Sequence, residues 1–494
     1  MAQDLRKNPK PPRWSAESAR QIAVRVVVEM DVILDTPAHL GSGDSPEDTV
    51  IPLLVDPYDE ISPLLPGASI AGALRAHLLA QQIGYRKIEQ TDTHAEGLFG
   101  SIHNDKPDNR KLFQSRVIVN DSIGRWDQAI SASDVRRGVK LVRETHTAED
   151  KFLYTHEIWN AGTVFPIHCE LMIYETDLEI RPEMIAAFVA ALNGLADGSI
   201  RIGARKQRGF GKLRVETWRV REFDLRKPTD LIVWLRLGKE NLTKAAGVKT
   251  GSELPKLFED VPAYELGERQ IATLNATFAI DGSLLIRQYE ADHAVHLTAI
   301  HGTVEAPIVS GTSLAGALRS RMHKIAATLH GDETAVKWIT ELFGTEVDNQ
   351  REGGIQASRV QVDETLIEGT PPDWVQARVS IDRFTGGALD GALFTEKPIF
   401  GVNGVVVTLN LRLINPEPGE IGLLLLALKD LWTGDLPIGG ERSIGRGRLQ
   451  GIKADLTTPD SEWTIEGRNR LQITGKGKTL ESYVNEFIPK DAKK

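Results

Sequence analysis

Two glycine-rich stretches carry the residues of this chain best suited to chemistry on an anion. They are IGARKQRGFGKL (202–213) and IGGERSIGRGRL (438–449). Glycines permit positive φ and let a backbone come close to a partner. Successive N–H groups in such a loop form an anion-binding concavity. Arg205, Lys206 and Arg208 add positive charge to the first loop, and Arg442, Arg446 and Arg448 add it to the second. Together these features suit a phosphodiester backbone. A nucleotide-phosphate loop fails on detail, because neither stretch ends in Gly-Lys-Ser/Thr and each leads into a strand instead of opening a helix after one. A tight helix-to-strand turn with a solvated basic rim is the other reading. Two basic copies at the same place favour RNA.

The loops are the last blocks of an internal duplication. A shift of 244 residues carries GASIAGALR (67–75) onto GTSLAGALR (311–319), PLLPG onto PIVSG just upstream, and LFG (98–100) onto LFG (342–344). With a slip of one, SRVIV (115–119) falls on SRVQV (358–362). After further slips FLYTHE falls on ALFTEK, and then come the two glycine-rich loops. Six blocks in one order decide the architecture. The period is far too long for a solenoid, so it means two tandem domains of similar size.

Each copy implies the same elements. An alternating strand opens it, IAVRVVVEMDVIL or ATLNATFAIDGSLLI. A loop rich in Asp, Pro and Gly follows, and then a helix, with Ser69 or Ser313 placed at its start to cap free N–H groups. In FPIHCELMIYE, residues Phe165, Ile167, Cys169, Leu171 and Ile173 share one face by period two. GVVVTLNLRLI is its counterpart. A second helix, the glycine-rich loop and a closing strand complete the copy. The order strand–helix–strands–helix–strand predicts an α+β, modified ferredoxin-like plan with an inserted hairpin. The expected divisions are a mobile arm over 1–20, a first domain over 21–222, a linker over 223–267, a second domain over 268–456 and a polar, Lys-rich tail over 457–494.

Composition narrows the class. Hydrophobic content of 41% and charged content of 26% are those of a globular protein. The longest apolar run, LLLLALKDLW, is too short to span a bilayer, so no membrane partner is expected. The basic, Pro-rich start has no apolar core and does not read as a signal peptide. A single cysteine, Cys169, rules out a disulfide framework and a multi-cysteine zinc site, and a cytoplasmic location fits best. The net charge of −9 counts mildly against a general nucleic-acid binder, but recognition depends on local basic patches.

The set of motifs resembles the RAMP superfamily of CRISPR proteins. The carriers are PGASIAGALR, SRVIVND and IGARKQRGFGK in the first copy, and SGTSLAGALR, SRVQVDE, SIDRFTGGA and IGGERSIGRGRL in the second. The resemblance covers most of 20–220 and 268–455. It looks like two fused backbone subunits of a type III effector, in the manner of III-D-like systems. It implies an RNA-recognition-motif-like fold in each copy and binding of a guide crRNA. It also implies assembly with other RAMP subunits and the large subunit, and cleavage of the complementary target RNA. The RNA-contacting positions it implies are Gly67, Ser69, Arg75, Arg116 and Arg143 in the first copy, with Gly311, Ser313, Arg319, Arg359 and Arg383 in the second, besides the loop cations. LVRETHTAED stands where the second copy has SIDRFTGGAL. Arg143 aligns with Arg383 there, but Val142 replaces Asp382, which weakens the thumb reading of that segment in the first copy.

For target cleavage the resemblance implies an aspartate in the loop before the GxSxAGALR helix. A carboxylate there can hold a divalent ion, Mg²⁺ or Mn²⁺, beside the scissile phosphate or help take the proton of the attacking 2′-OH. The first copy offers Asp44, Asp48 and Asp56, and the second offers Asp292. The 244 shift pairs Asp48 with Asp292, which makes these the candidate catalytic and metal-holding residues, with Asp44 and Asp56 as second choices. A surface Asx turn is the competing reading for each. His293 and His296 flank Asp292 without counterparts, since Thr49 and Pro52 stand there, and they read as accessory or inert. Cys169 reads as packing, His168 as facing the other way toward a partner, and Trp14 as a stacking residue of the arm. Two rival functions stay open. One is a metal-independent precursor-RNA processing endoribonuclease with a histidine base. The other is an architectural subunit that holds RNA and never cuts.

Overall fold

The computed structural model describes the chain except residues 1–20, 44–49, 86–92, 102–113, 128–130, 143–147, 238–241, 243–244, 260, 265–269, 291–292, 302–303, 346–355, 403, 469 and 490–494. The N-terminal arm with Trp14 and the end of the Lys-rich tail therefore lie outside the described residues.

The chain forms two compact units. In the first, β1 (Ile22–Leu34) is the central strand. Period-two alternation sends Val24, Val26, Val28, Met30, Val32 and Leu34 into one core and leaves Arg25, Val27, Glu29 and Asp31 for the opposite face. In chain order there follow α1 (Gly67–Ile83), α2 (His94–Phe99), β2 (Val117–Val119), the hairpin strands β3 (Ser133–Leu141) and β4 (Ala148–Trp159), whose residues Arg136–Thr155 belong to the second unit, then β5 (Val164–Tyr174), α3 (Arg181–Ala196) and β6 (Leu213–Asp224). α4 (Pro228–Leu237) and β7 (Lys249–Gly251) close the unit. The sheet is antiparallel throughout, in the order β7–β6–β1–β5–β2. The predicted face of β5 is buried as read: Phe165, Ile167, Cys169, Leu171 and Ile173 are each at most 1% exposed. α1 adds Ile70, Leu74 and Leu78 at four-residue spacing, so one helical stripe meets that face. Full burial of each such side chain contributes about 1.5–3 kcal/mol.

The second unit takes in Arg136–Thr155 and Arg205–Phe210 together with Gln270–Lys494. Its strands and helices are β8 (Ile271–Asp281), β9 (Arg287–Glu290), β10 (His293–His296), α5 (Gly311–His330), α6 (Asp332–Phe343), β11 (Val360–Val362), β12 (Gln376–Ile381), β13 (Ala388–Lys397), β14 (Val406–Ile414), α7 (Pro418–Trp432), β15 (Arg448–Thr458), β16 (Ser461–Glu466), β17 (Gln472–Lys476) and α8 (Leu480–Phe487). The main sheet repeats the first unit's order as β15–β8–β14–β11. α5 meets it through Leu314, Leu318, Met322 and Ala326, again every fourth residue. α7 begins at a reciprocal capping box of Glu417 and Glu420 with Pro418 in its first turn.

Two stretches hold more structure than their sequence suggested. The expected linker supplies α4 and β7, and Leu242 packs with Val27 and Phe223 on the outer face of the first sheet. The expected polar tail extends the second sheet by β16 and β17, and α8 buries Tyr483 and Phe487. Both stretches have a sparse alternating pattern that neighbouring strands complete, so the chain's own periodicity understates them. Among the described residues no helix is long and apolar enough to cross a membrane.

Candidate nucleic-acid interface

The two glycine-rich loops have the same backbone. Left-handed residues fall at Gly203 and Gly439 (φ 75° and 77°), Arg205 and Glu441 (57° and 56°), Gly209 and Gly445 (97° and 90°), and Gly211 and Gly447 (70° and 80°). A single 3-10 turn lies inside each, Lys206–Arg208 and Arg442–Ile444. Glycine is obligatory at the exit, since a Cβ on Gly211 would stand 1.9 Å from the Ile202 carbonyl and one on Gly447 1.9 Å from that of Ile438. Lys206 and Arg448 are exposed, while Arg205, Arg208 and Arg442 are half-buried.

Three of the arginines named as RNA-contacting positions make ion pairs and hydrogen bonds within the fold. Arg116, 3% exposed, pairs through Nε with Asp177 Oδ2 at 2.9 Å and donates to the Gly97 carbonyl. Arg359 pairs with Glu420 at the start of α7 and donates to the carbonyls of Glu341, Ile414 and Asn415. The serine before each arginine repeats one pattern. Ser115 Oγ reaches the carbonyls of Leu98 and Val117, and Ser358 Oγ those of Leu342 and Val360. The SR and LFG blocks recur because they staple helix to strand. Arg446, also 3% exposed, is held by Glu396 (3.0 Å), Glu441 (2.9 Å) and Gln376 (2.6 Å). Arg287 and Arg378 complete that cluster at the root of β12 and β13.

The GxSxAGALR phrase is likewise a packing device at its first residue. A Cβ on Gly67 would lie 2.2 Å from the Val119 carbonyl, and Gly67 N donates to Asp121 Oδ1 at 2.7 Å. The caps differ from the sequence reading. Ser69 is exposed and no side chain caps α1. In α5 the cap is Ser310, which accepts from Ser313 N, so Ser313 is the capped residue. Gly311 is buried, and Arg75 and Arg319 are half-buried on their helices.

Asp44, Asp48, Asp292 and Arg143 lie outside the described residues. Asp56 is described and is 7% exposed. Its Oδ1 accepts Tyr58 N at 3.1 Å in an Asx turn, which commits it to the backbone. His296 is buried between strands. Its Nδ1 accepts Ile286 N and its Nε2 donates to the Ile308 carbonyl, and burial brings its pKa down to about 4, so it stays neutral and structural. Among the described residues no group of three His, Cys, Asp or Glu is arranged to hold a metal ion. Glu396 and Glu441 lie together, but arginines pair with both.

The hairpin β12–β13 projects apolar and aromatic side chains without cover. Val379, Ile381, Leu389 and Leu393 are exposed, and Phe384 at the tip is 99% exposed beside exposed Arg383. Asp382 fixes that tip by accepting the N–H groups of Phe384 and Thr385, both at 2.8 Å. Phe384 was not singled out from the sequence. The signal was the Asp-x-Phe-Thr-Gly turn, whose Asx geometry leaves the ring no neighbour to pack on.

His168 is not free for a partner. Its Nδ1 and Nε2 donate to Glu29 Oε1 (3.2 Å) and Glu170 Oε1 (3.1 Å). Burial opposes the imidazolium, but those two bonds outweigh it and hold the pKa at about 9. The stabilisation is fully present below the ordinary value near 6.5 and is lost as pH rises from there through about 9. We therefore expect the urea midpoint of the first unit to fall between pH 6.5 and 9, and His168→Gln to flatten that fall. An equal slope in the variant would remove His168 as its source. Cys169 is fully buried, its thiol pushed up to about 12 by burial, and it serves packing as read.

A family model, that of the RAMP superfamily, matches residues 32–214 and 283–450, well over half of the chain. A comparison with curated proteins returns no match.

Proposed function

The chain belongs to the RAMP superfamily, and we propose that it is a guide-RNA-holding backbone subunit of a type III CRISPR ribonucleoprotein that cuts the bound complementary RNA. The observation that carries this reading is the doubled loop. Two separate stretches of chain keep one unusual left-handed, 3-10, left-handed backbone, at the same place in two matched regions. The shared strand order of the two sheets supports a modified ferredoxin-like fold in each copy. In this reading Lys206, Arg442 and Arg448 meet guide phosphates, with Arg205 and Arg208 behind them. Phe384 and Arg383 at the hairpin tip stack on or wedge between bases. Other RAMP subunits and the effector's large subunit flank the chain.

Asp48 and Asp292 are the proposed cleavage residues. The 2′-OH of the target attacks the neighbouring phosphorus, its proton leaves, and the bond to the 5′ oxygen breaks, giving a 2′,3′-cyclic phosphate and a 5′-OH. A bound Mg²⁺ or Mn²⁺ would neutralise charge on the scissile phosphate at each cut, held by Asp48 at one and by Asp292 at the other.

Guide binding is tested by salt titration. Replacing Lys206, Arg442 and Arg448 together by Ala should weaken single-stranded RNA binding. It should also lower the log–log salt slope by about 2, at about 0.7 for each phosphate that is no longer neutralised. An unchanged slope would reduce the loops to turns.

A further inference from the structure

Trp374 is the one exposed tryptophan among the described residues. It is 58% exposed, while Trp159, Trp218 and Trp432 are at most 6% exposed. An indole has a large apolar surface and is highly buried on average, so one held in water calls for a reason. The chain holds it out stiffly. Pro371 and Pro372 restrict the approach, and Trp374 N donates to the Pro372 carbonyl at 3.0 Å. Phe400 meets the indole at 62°, with ring centroids 5.3 Å apart, which sets the tilt of the ring without covering it. The shift of 240 that carries Phe394 onto Tyr154 carries Trp374 onto Asp134, so the first repeat has no such ring.

Two paths of contact put this ring beside the second glycine-rich loop. Ser283 pairs with Phe400, and the Ser283 carbonyl accepts Gly447 N at 2.7 Å. Gln376, two residues beyond Trp374, accepts Arg446 Nη2 through its Oε1 at 2.6 Å. The charges nearby leave a positive excess. Asp373 is exposed but pairs with Lys397 at 2.6 Å. Glu396 and Glu441 are set against three guanidinium groups, those of Arg287, Arg378 and Arg446. The Arg287 side chain stays 41% exposed, and Arg448 at the loop exit is exposed. Val375 and Val402 are also exposed, and they widen the apolar ledge around the indole.

We propose that Trp374 is a base-stacking site for single-stranded RNA, present in the second repeat alone. One nucleobase lies on the open indole, and the phosphates beside it meet the exposed cations of the glycine-rich loop and Arg287. An open aromatic ring next to excess positive charge is the combination that single-stranded nucleic acid fits, the ring for a base and the cations for the backbone. Every base has a π-face, so the site accepts any sequence. The stiff approach through two prolines fixes the ring before RNA arrives, which keeps the ordering cost of binding low. The inference deepens the guide-holding reading and rests on it.

The test titrates the full-length protein with a short oligoadenylate and with a ribose-phosphate strand of equal length that lacks bases. Trp374→Ala should weaken oligoadenylate binding by about five-fold or more, the usual loss for one stacked base. It should leave the log–log salt slope unchanged, because no phosphate contact is lost. Binding of the strand without bases should not change. Trp374→Phe should restore most of the affinity, and it should lack part of the indole fluorescence quenching that oligoadenylate causes in the unaltered protein. The melting temperature of both variants should match the parent's, since an exposed ring adds little to stability. Equal losses on the two strands would overturn the stacking site. No loss on oligoadenylate would overturn it too and leave the ring to a protein partner. The guide-holding reading is judged separately, by the salt slope of the Lys206, Arg442 and Arg448 variant, so a normal slope effect there with no effect of Trp374→Ala ends this inference alone. An unaltered chain that binds no RNA ends both.

Discussion

Asp292→Ala is expected to erase one cut in a guide-paired target RNA and Asp48→Ala a second, each leaving the other cut in place. Losing a group that positions or takes a proton at the reacting phosphate costs about 10²–10⁴-fold in rate, so each band should vanish on a mapping gel. The two effects should be independent, because the 244-residue shift puts the aspartates in different repeats and separated sites add. Target binding should persist, since pairing to the guide carries recognition. Chelation of divalent metal should stop both cuts, which separates this reading from a metal-independent processing nuclease. A double variant that still cuts at both places would end the aspartate assignment. If Asp48→Ala changes nothing and Asp292→Ala removes the sole cut, the first repeat is a holder only.

What a single sequence encodes explains why the duplication and the buried face of β5 are legible while the partners of several arginines are not. The duplication was plain from six ordered blocks, and the buried face of β5 from period two. An arginine's fork, however, binds a carboxylate and a phosphate equally well. Nothing in SRV says which it will meet. The answer lies far away in sequence, at Asp177 for Arg116 and at Glu420 for Arg359. Arg446 misled for the same reason, because its partners Glu396 and Gln376 come from the hairpin strands β12 and β13. His168 read as outward-facing from alternation, and it does leave the core face. Glu170, two residues on, shares its face by the same alternation, but Glu29 was invisible until β1 and β5 were paired in register. Repetition proves that a block matters. Only partner geometry tells a structural brace from an RNA-binding group, and in this chain the SR and LFG blocks make the same contacts in both copies.

Arg359→Ala separates those two roles. If Arg359 met guide RNA, the variant would fold normally and lose affinity together with part of its salt slope. As a brace, it should instead lower stability by about 3–5 kcal/mol, the usual cost of removing one partner from a buried pair, and lower the melting temperature of its unit by on the order of 10 °C. The loss is large because three carbonyls and Glu420 lose their donor together. Burial already holds the Glu420 carboxyl above the usual carboxylate range, and Arg359 is among the groups that pull it down. Without Arg359 that pKa rises further. A raised carboxyl is stabilising below its unfolded value and loses that contribution as pH rises through the folded value. The variant's deficit should therefore be smaller near pH 4 than at pH 7. Arg359→Lys should fall between, keeping the charge and losing the fork. Urea melts at the two pH values, set beside the RNA salt slope of the folded variant, give the outcome. An unchanged midpoint with a flatter slope would return Arg359 to the RNA surface, and a collapsed midpoint with an unchanged slope fixes it as the clamp between α6, α7 and the start of β11.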